Sequence, residues 1–460
     1  MIDSVPPFVP PAASPRPARR GMLALLAVMM LIAAACSEPS ESSTSSTTDT
    51  PTTTTTPATG PTSPPTTTPP PSQERLDALA ALPGQLAVGR GSALVLVDPD
   101  GANAIELDGS EPGVAATQPV WSNSGARLAW SRTSAEGHEL VVLDPASAGE
   151  TTVPLPGPTA YYLQWTFNDS GLAYLRDGTS EPGVELGVAP VGGSATPLAI
   201  TAPLYFSWAP RSPTLALHLT NERMIVIDAA LDIGPGEDIP AVAVVEETGD
   251  FTAPAWVDDT TLLGLTDAGL ALIDVLSGRT TVLVEADGPV QFVLSPDRER
   301  VAYAVPGSNA GLSLASIDLA QGEANTPAGL NVIDLGSGRM QQVSASAPAT
   351  WEWSPDSQQL AFLDVDFANL PIRAQWNFWN GVEASQVPPH YPSQKVAQAY
   401  LPFFEQYTQS LHRWSPDSSA FAYAGRVDPE ALAPSVWVHL IGSDEAPTPI
   451  VTGDLATWSP

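Results

Sequence analysis

The side chains with the widest chemical reach in this sequence are five histidines, His138, His218, His390, His412 and His439, and one cysteine, Cys36. The histidines lie far apart, and no H-E-x-x-H pair sets two of them one helical turn apart as zinc ligands. His390 and His412 are the pair that a fold could bring together with a carboxylate; satisfied structural histidines are the competing reading. No G-x-S-x-G elbow presents a serine nucleophile. Asp364-Val365-Asp366 and Asp98-Pro99-Asp100-Gly101 each begin like a calcium loop, but neither reaches a glutamate at the required spacing, and the second reads as a hairpin turn. A single cysteine excludes a disulfide framework and a cysteine metal site. These residues point away from an enzyme: no catalytic residue, metal or cofactor is assigned.

The elements that would position any site come from a repeat. In Trp353-Ser354-Pro355-Asp356-Ser357, followed by Leu360-Ala361-Phe362, a lead residue is followed seven places on by an apolar residue. A small residue stands eight places on, and an apolar or aromatic residue nine on. The frame recurs from Trp121, Trp165, Trp208, Trp256, Leu294 and Trp414, at intervals of 44, 43, 48, 38, 59 and 61 residues. That period suits one four-stranded propeller blade per copy, and the short β-branched and aromatic runs lack the i, i+3, i+4, i+7 spacing of helical repeats. Proline two places after the lead residue (Pro210, Pro296, Pro355, Pro416) cannot donate to a ladder, so it belongs where an inner strand leaves its sheet. Alternate residues of each strand must face the neighbouring blades, with the tryptophan filling the gap and the small residue leaving room for it.

Leu86-Ala87-Val88 and Leu94 to Asp98 supply later strands of a first blade that lacks a lead tryptophan. Leu455-Ala456-Thr457-Trp458-Ser459-Pro460 stops where that blade should begin, so the C-terminus is expected to provide its inner strand and close the ring. The fold expected is all-β: a single β-propeller of eight blades, with seven as the alternative, over residues 74–460. A short helix is expected near Glu74.

Two long intervals mark insertions. Residues 307–326 are small and polar, a loop. Residues 369–411 are aromatic, and Trp376, Trp379, His390, Tyr391, Phe403 and Tyr407, with His412 just beyond, are the candidate binding residues. Ser393 could cap a helix carrying Val396, Tyr400, Phe404, Tyr407 and Leu411 on one face, kinked by Pro402. This segment is either the outer strands of the seventh blade with a helix packed on the rim, the favoured reading, or a ligand-binding cap.

Ahead of the blades, Arg16, Arg19 and Arg20 precede an apolar run over 22–35, which is too short to span a bilayer. Ala33-Ala34-Ala35-Cys36 resembles the lipobox of bacterial lipoproteins, with Ala33 where that motif more often has Leu. The resemblance implies a signal peptide over 1–36, cleavage before Cys36 and lipidation of its sulfur. Residues 37–73 are almost wholly Ser, Thr and Pro, the composition of an extended disordered tether. The W-S-P-D-S frame, from Gln85 to Pro460, resembles the repeat of TolB-like propellers (WD40-like, PD40 repeats). This implies a fold that binds proteins or peptides.

With Lys+Arg 18 against Asp+Glu 50 the net charge is -32, and removal of residues 1–35 takes away three Arg and one Asp and leaves -34. Such a surface repels nucleic acid and anionic lipid heads. The expectation is a monomeric module at the extracytoplasmic face of a bacterial cell membrane, held by a lipid on Cys36 and binding a protein or peptide partner. The alternative is an enzyme or carbohydrate-binding protein with its site at the ring's mouth beneath 369–411.

Overall fold

The computed structural model describes residues 71–460 apart from 179–182, 202–203, 220–222, 230–240, 246–247, 287, 306–327 and 367–370. Cys36, the expected signal over 1–36, residues 37–70 of the expected tether and the whole of the expected 307–326 loop lie outside the described residues. Eight four-stranded antiparallel sheets follow one another along the chain. Their innermost strands are Leu455–Trp458 for blade 1, then Ala115–Trp121, Tyr162–Trp165, Leu204–Trp208, Ala255–Trp256, Gln291–Leu294, Thr350–Trp353 and, for blade 8, Tyr391–Pro392. The count is eight, and the seven-blade alternative falls.

Ring closure is as the C-terminal residues required. Leu455–Trp458 pairs antiparallel with Leu86–Arg90, with Leu86 opposite Trp458 and Val88 opposite Ala456. A helix over Gln73–Ala80, capped by Ser72 on the amide of Arg75, reinforces this seam from the other end of the chain. Arg75 bonds Thr448 and pairs with Glu445 at 3.0 Å, both in blade 8, while Leu79 packs with Leu86, Val438 and Trp458.

The lead tryptophans wedge between blades. Trp165 packs on Ala129, Trp256 on Ala216, Trp353 on Ala302 and Trp414 on Ala361, in each case the small frame residue of the preceding blade. A Cβ on Gly264, the small residue of blade 5, would sit 2.9 Å from the end of the Met224 side chain of blade 4, so a larger residue there makes that methionine shift. Packing is only part of the wedge. Trp121, Trp165, Trp256, Trp353 and Trp414 donate their indole N–H to the backbone carbonyls of Thr457, Val120, Ser207, Val293 and Glu352 in the preceding inner strands, at 3.0–3.4 Å. Each buried donor is thus satisfied by the preceding sheet, at a net gain of about 1 kcal/mol apiece.

The Ser-Pro-Asp-Ser turns form a second ring of contacts. Ser354 donates to Asp356, and Ser357 takes a left-handed φ of 62°. The turn amides of Asp297 and Asp356 donate to Ser357 and Ser418 of the following blades. Arg127 and Arg300 stand over Trp165 and Trp353 of the next blade, 4.9 and 5.2 Å from the rings.

Candidate functional site

The aromatic insertion divides into parts with different destinations. Arg373–Trp379 and Ala384–Gln386 complete blade 7 as its third and fourth strands, as expected. The remainder is not on the rim, contrary to the favoured reading. Tyr391–Pro392 begins the innermost strand of blade 8 opposite Arg426 and Gly425, and the pairing resumes only at Trp414 opposite Phe421. The three strand positions between, opposite Ala424, Tyr423 and Ala422, are spanned by residues 393–413. The inner strand therefore breaks open, sends an excursion into the mouth of the central channel, and takes up its ladder again.

Local chemistry explains the shape of this plug. Ser393 caps its start by accepting from the Val396 amide at 3.1 Å, as expected. One kinked helix was expected; the structure has a π-helical turn over Val396–Tyr400, a 3-10 turn over Leu401–Phe403 and a single α-turn over Phe404–Tyr407. Pro402 cannot donate and its ring crowds the preceding turn, so the helix breaks into pieces rather than bending once.

The plug bonds to the inward edges of the inner strands, whose N–H and C=O groups have no further strand of their own sheet to meet. Gln406 accepts from the Phe206 amide and donates to the Phe206 carbonyl, both at 2.9 Å, imitating a strand neighbour for blade 4. Its own carbonyl accepts from Tyr162 of blade 3 at 3.0 Å. Glu405 accepts from the Phe292 amide of blade 6 at 3.2 Å, and Gln409 donates to the Pro254 carbonyl ahead of blade 5 at 3.2 Å. Tyr407 donates to the Tyr161 carbonyl at 2.8 Å, and Phe404 packs on Trp351 of blade 7. At the returning end Arg413 meets Glu352 through its amide and its guanidinium, each at 3.0 Å.

Electrostatics follow from this burial. The Glu405 carboxyl, with backbone amides but no cation as partners, is pushed up to about 8 by desolvation against the pull of Phe292 and Ala253. Burial also raises Glu352, although Arg413 beside it pulls the other way. His390, His412 and His439 are held down to about 4 by burial and stay neutral at pH 7.

The candidate residues do not form one site. Trp376 and Trp379 are 2% and 5% exposed, core residues of blade 7 that face blades 8 and 6 respectively. His390 pairs through its backbone with Ala374, and its ring lies 4.7 Å from that of Tyr423. Tyr391, also buried, accepts from Arg373 at 3.1 Å. Only Phe403, Tyr407 and His412 belong to the plug, where His412 accepts from the Trp458 amide of blade 1 at 2.6 Å. Five of the seven, Trp376, Trp379, His390, Tyr391 and Tyr407, are buried, whereas Phe403 and His412 are partly exposed. Between the plug and blades 7 and 8 a cavity of about 20 Å³, bordered by His390, Tyr400, Arg413 and Tyr423, has room for a single water. Among the described residues no three His, Cys, Asp or Glu side chains group closely enough to hold a metal ion. Sequence reasoning missed Glu405, Gln406, Gln409, Glu352 and Arg413; the one available signal was three polar residues set inside an aromatic run.

No family model matches the chain, and no curated protein does. Solved structures with a similar fold include a eukaryotic initiation factor, at a TM-score of 0.50 and 12% identity over 82% of this chain and 98% of that one. An oligogalacturonate lyase in complex with manganese gives 0.45 and 14% over 78% and 96%. The Swd1 propeller domain of Myceliophteria thermophila gives 0.40 and 15% over 69% and 95%. At these identities the likeness concerns the propeller fold alone.

Proposed function

We propose that this protein is a lipid-anchored propeller on the extracytoplasmic face of a bacterial cell membrane, a monomer that binds a protein or peptide partner through the outside of its ring. The observation that carries this reading is the plug. Gln406, Glu405 and Tyr407 are already bonded to the inner strands, which supports binding by the outside of the ring over a site beneath the plug. The resemblance of the W-S-P-D-S frame to the TolB-like repeat supports a binding role, and the Arg16 to Cys36 stretch supports the anchor.

Two linked measurements test it. Cys36→Ala should move the protein from the membrane pellet to the soluble fraction, and retention in the pellet would overturn the anchor. A photocrosslinking residue at Leu432 or Val382, which are 104% and 86% exposed, should capture one discrete partner in intact cells. Capture of that species only from positions inside the channel would overturn binding by the outer surface.

A further inference from the structure

Blade 7 ends in a strand, Ala384–Gln386, that is exposed along its whole length and pairs on one side only, with Asn377 to Trp379. Its other edge borders a groove of about 470 Å³ between the outer parts of blades 7 and 8. Ser385, Gln386, Pro388 and Pro389 line it from blade 7, and the Ser443–Pro447 turn lines it from blade 8. His439 also lines the groove. It is 5% exposed, and its Nδ1 has no hydrogen-bond partner.

These features call for a particular kind of ligand. A free strand edge offers a row of backbone donors and acceptors at the spacing of another strand. An orphaned buried imidazole nitrogen costs free energy until something pairs with it. The acidic groups of the blade 8 turn are unequally matched: Glu445 is paired with Arg75, whereas Asp444 is exposed and takes no part in an ion pair among the described residues. Pro388 and Pro389 in the lining are apolar and rigid, and suit an extended chain better than a helix.

We infer that this groove receives an extended peptide segment of a partner protein, which adds to the free edge of Ala384–Gln386, sets a Lys or Arg side chain against Asp444, and hydrogen-bonds His439. The inference rests on the reading of the protein as a peptide-binding module and names where and what it binds. The chain's own residues 37–70 fit poorly, since they carry Glu38, Glu41 and Asp49 and no Lys or Arg. A second copy, at a net charge of -32, would bring like charge to like.

The test uses the purified full chain and fluorescence anisotropy of a labelled eight-residue Thr/Val peptide with one central Lys. Replacing that Lys by Glu, or methylating alternate backbone nitrogens, should each weaken binding at least tenfold. Asp444→Lys, on an exposed turn where folding is undisturbed, should do the same, and His439→Phe should weaken binding several-fold. Equal affinity for the Lys and Glu peptides, or an unchanged affinity in Asp444→Lys, would overturn the proposal. So would equally tight binding of a synthetic peptide spanning residues 51–71 of this chain. If Asp444→Lys leaves the species crosslinked from Leu432 unaffected, the groove is excluded while the module reading stands.

Discussion

Glu405 is the residue at which the plug's chemistry is most exposed to measurement. Its folded-state value of about 8 lies above the 4.5 of a free carboxyl, so its contribution to stability is complete below pH 4.5 and is lost as pH rises through 8. The buried histidines act in the opposite sense. Held to about 4, His390, His412 and His439 contribute stability that is complete above pH 6.5 and is lost as pH falls toward 4. Glu405→Gln, whose amide oxygen can still accept from Phe292, should therefore melt near the wild-type temperature at pH 5. By pH 9 it should be the more stable protein, on the order of 4 kcal/mol. Parallel pH profiles for the two proteins would show that Glu405 is not held neutral. At the same scale the indole bonds have an exception: Trp208 keeps its Nε1 buried without a hydrogen-bond partner among the described residues.

The excursion over 393–413 is an element added to a blade rather than a domain added to a ring. Because its two ends rejoin the same ladder across three strand positions, replacing 394–412 by a single residue would restore a continuous inner strand at about 3.3 Å per residue. Such a variant should keep its β-sheet circular dichroism, lower its melting temperature by several degrees, and exchange the Phe206 and Phe292 amide hydrogens much faster. Loss of the sheet signal would mean that the plug is required for the blades themselves. Much of this element could be foreseen, but not its destination. Val396, Tyr400, Phe404, Tyr407 and Leu411 at helical spacing say that one face is buried, and Ser393 says where the turn starts. Neither says what covers that face, because the partners lie in blades up to 289 residues away. The same limit hid the indole bonds: the frame located the tryptophans and their small neighbours, while the carbonyl each one meets belongs to a different copy.

Across the whole molecule the architecture was legible because the frame repeats, and repetition turns a weak local pattern into a count of blades. Closure was legible for the same reason, since the last copy stops where the first begins. Truncation after Gly453 should remove the inner strand of blade 1 and leave Leu86 and Val88 paired on one side only. The expected result is a protein that elutes as aggregate or is cut by protease within blade 1, and a compact monomer of unchanged melting temperature would contradict ring closure. The seam also has a consequence in time. Trp458 and the Pro83 carbonyl it bonds are 375 residues apart, and at 5 to 20 residues per second roughly 20 to 75 s separate their synthesis. The sheet begun earliest is finished last, and until then its unpaired edge can recruit whatever strand arrives first, so prompt delivery of the final residues guards the young chain against misassembly.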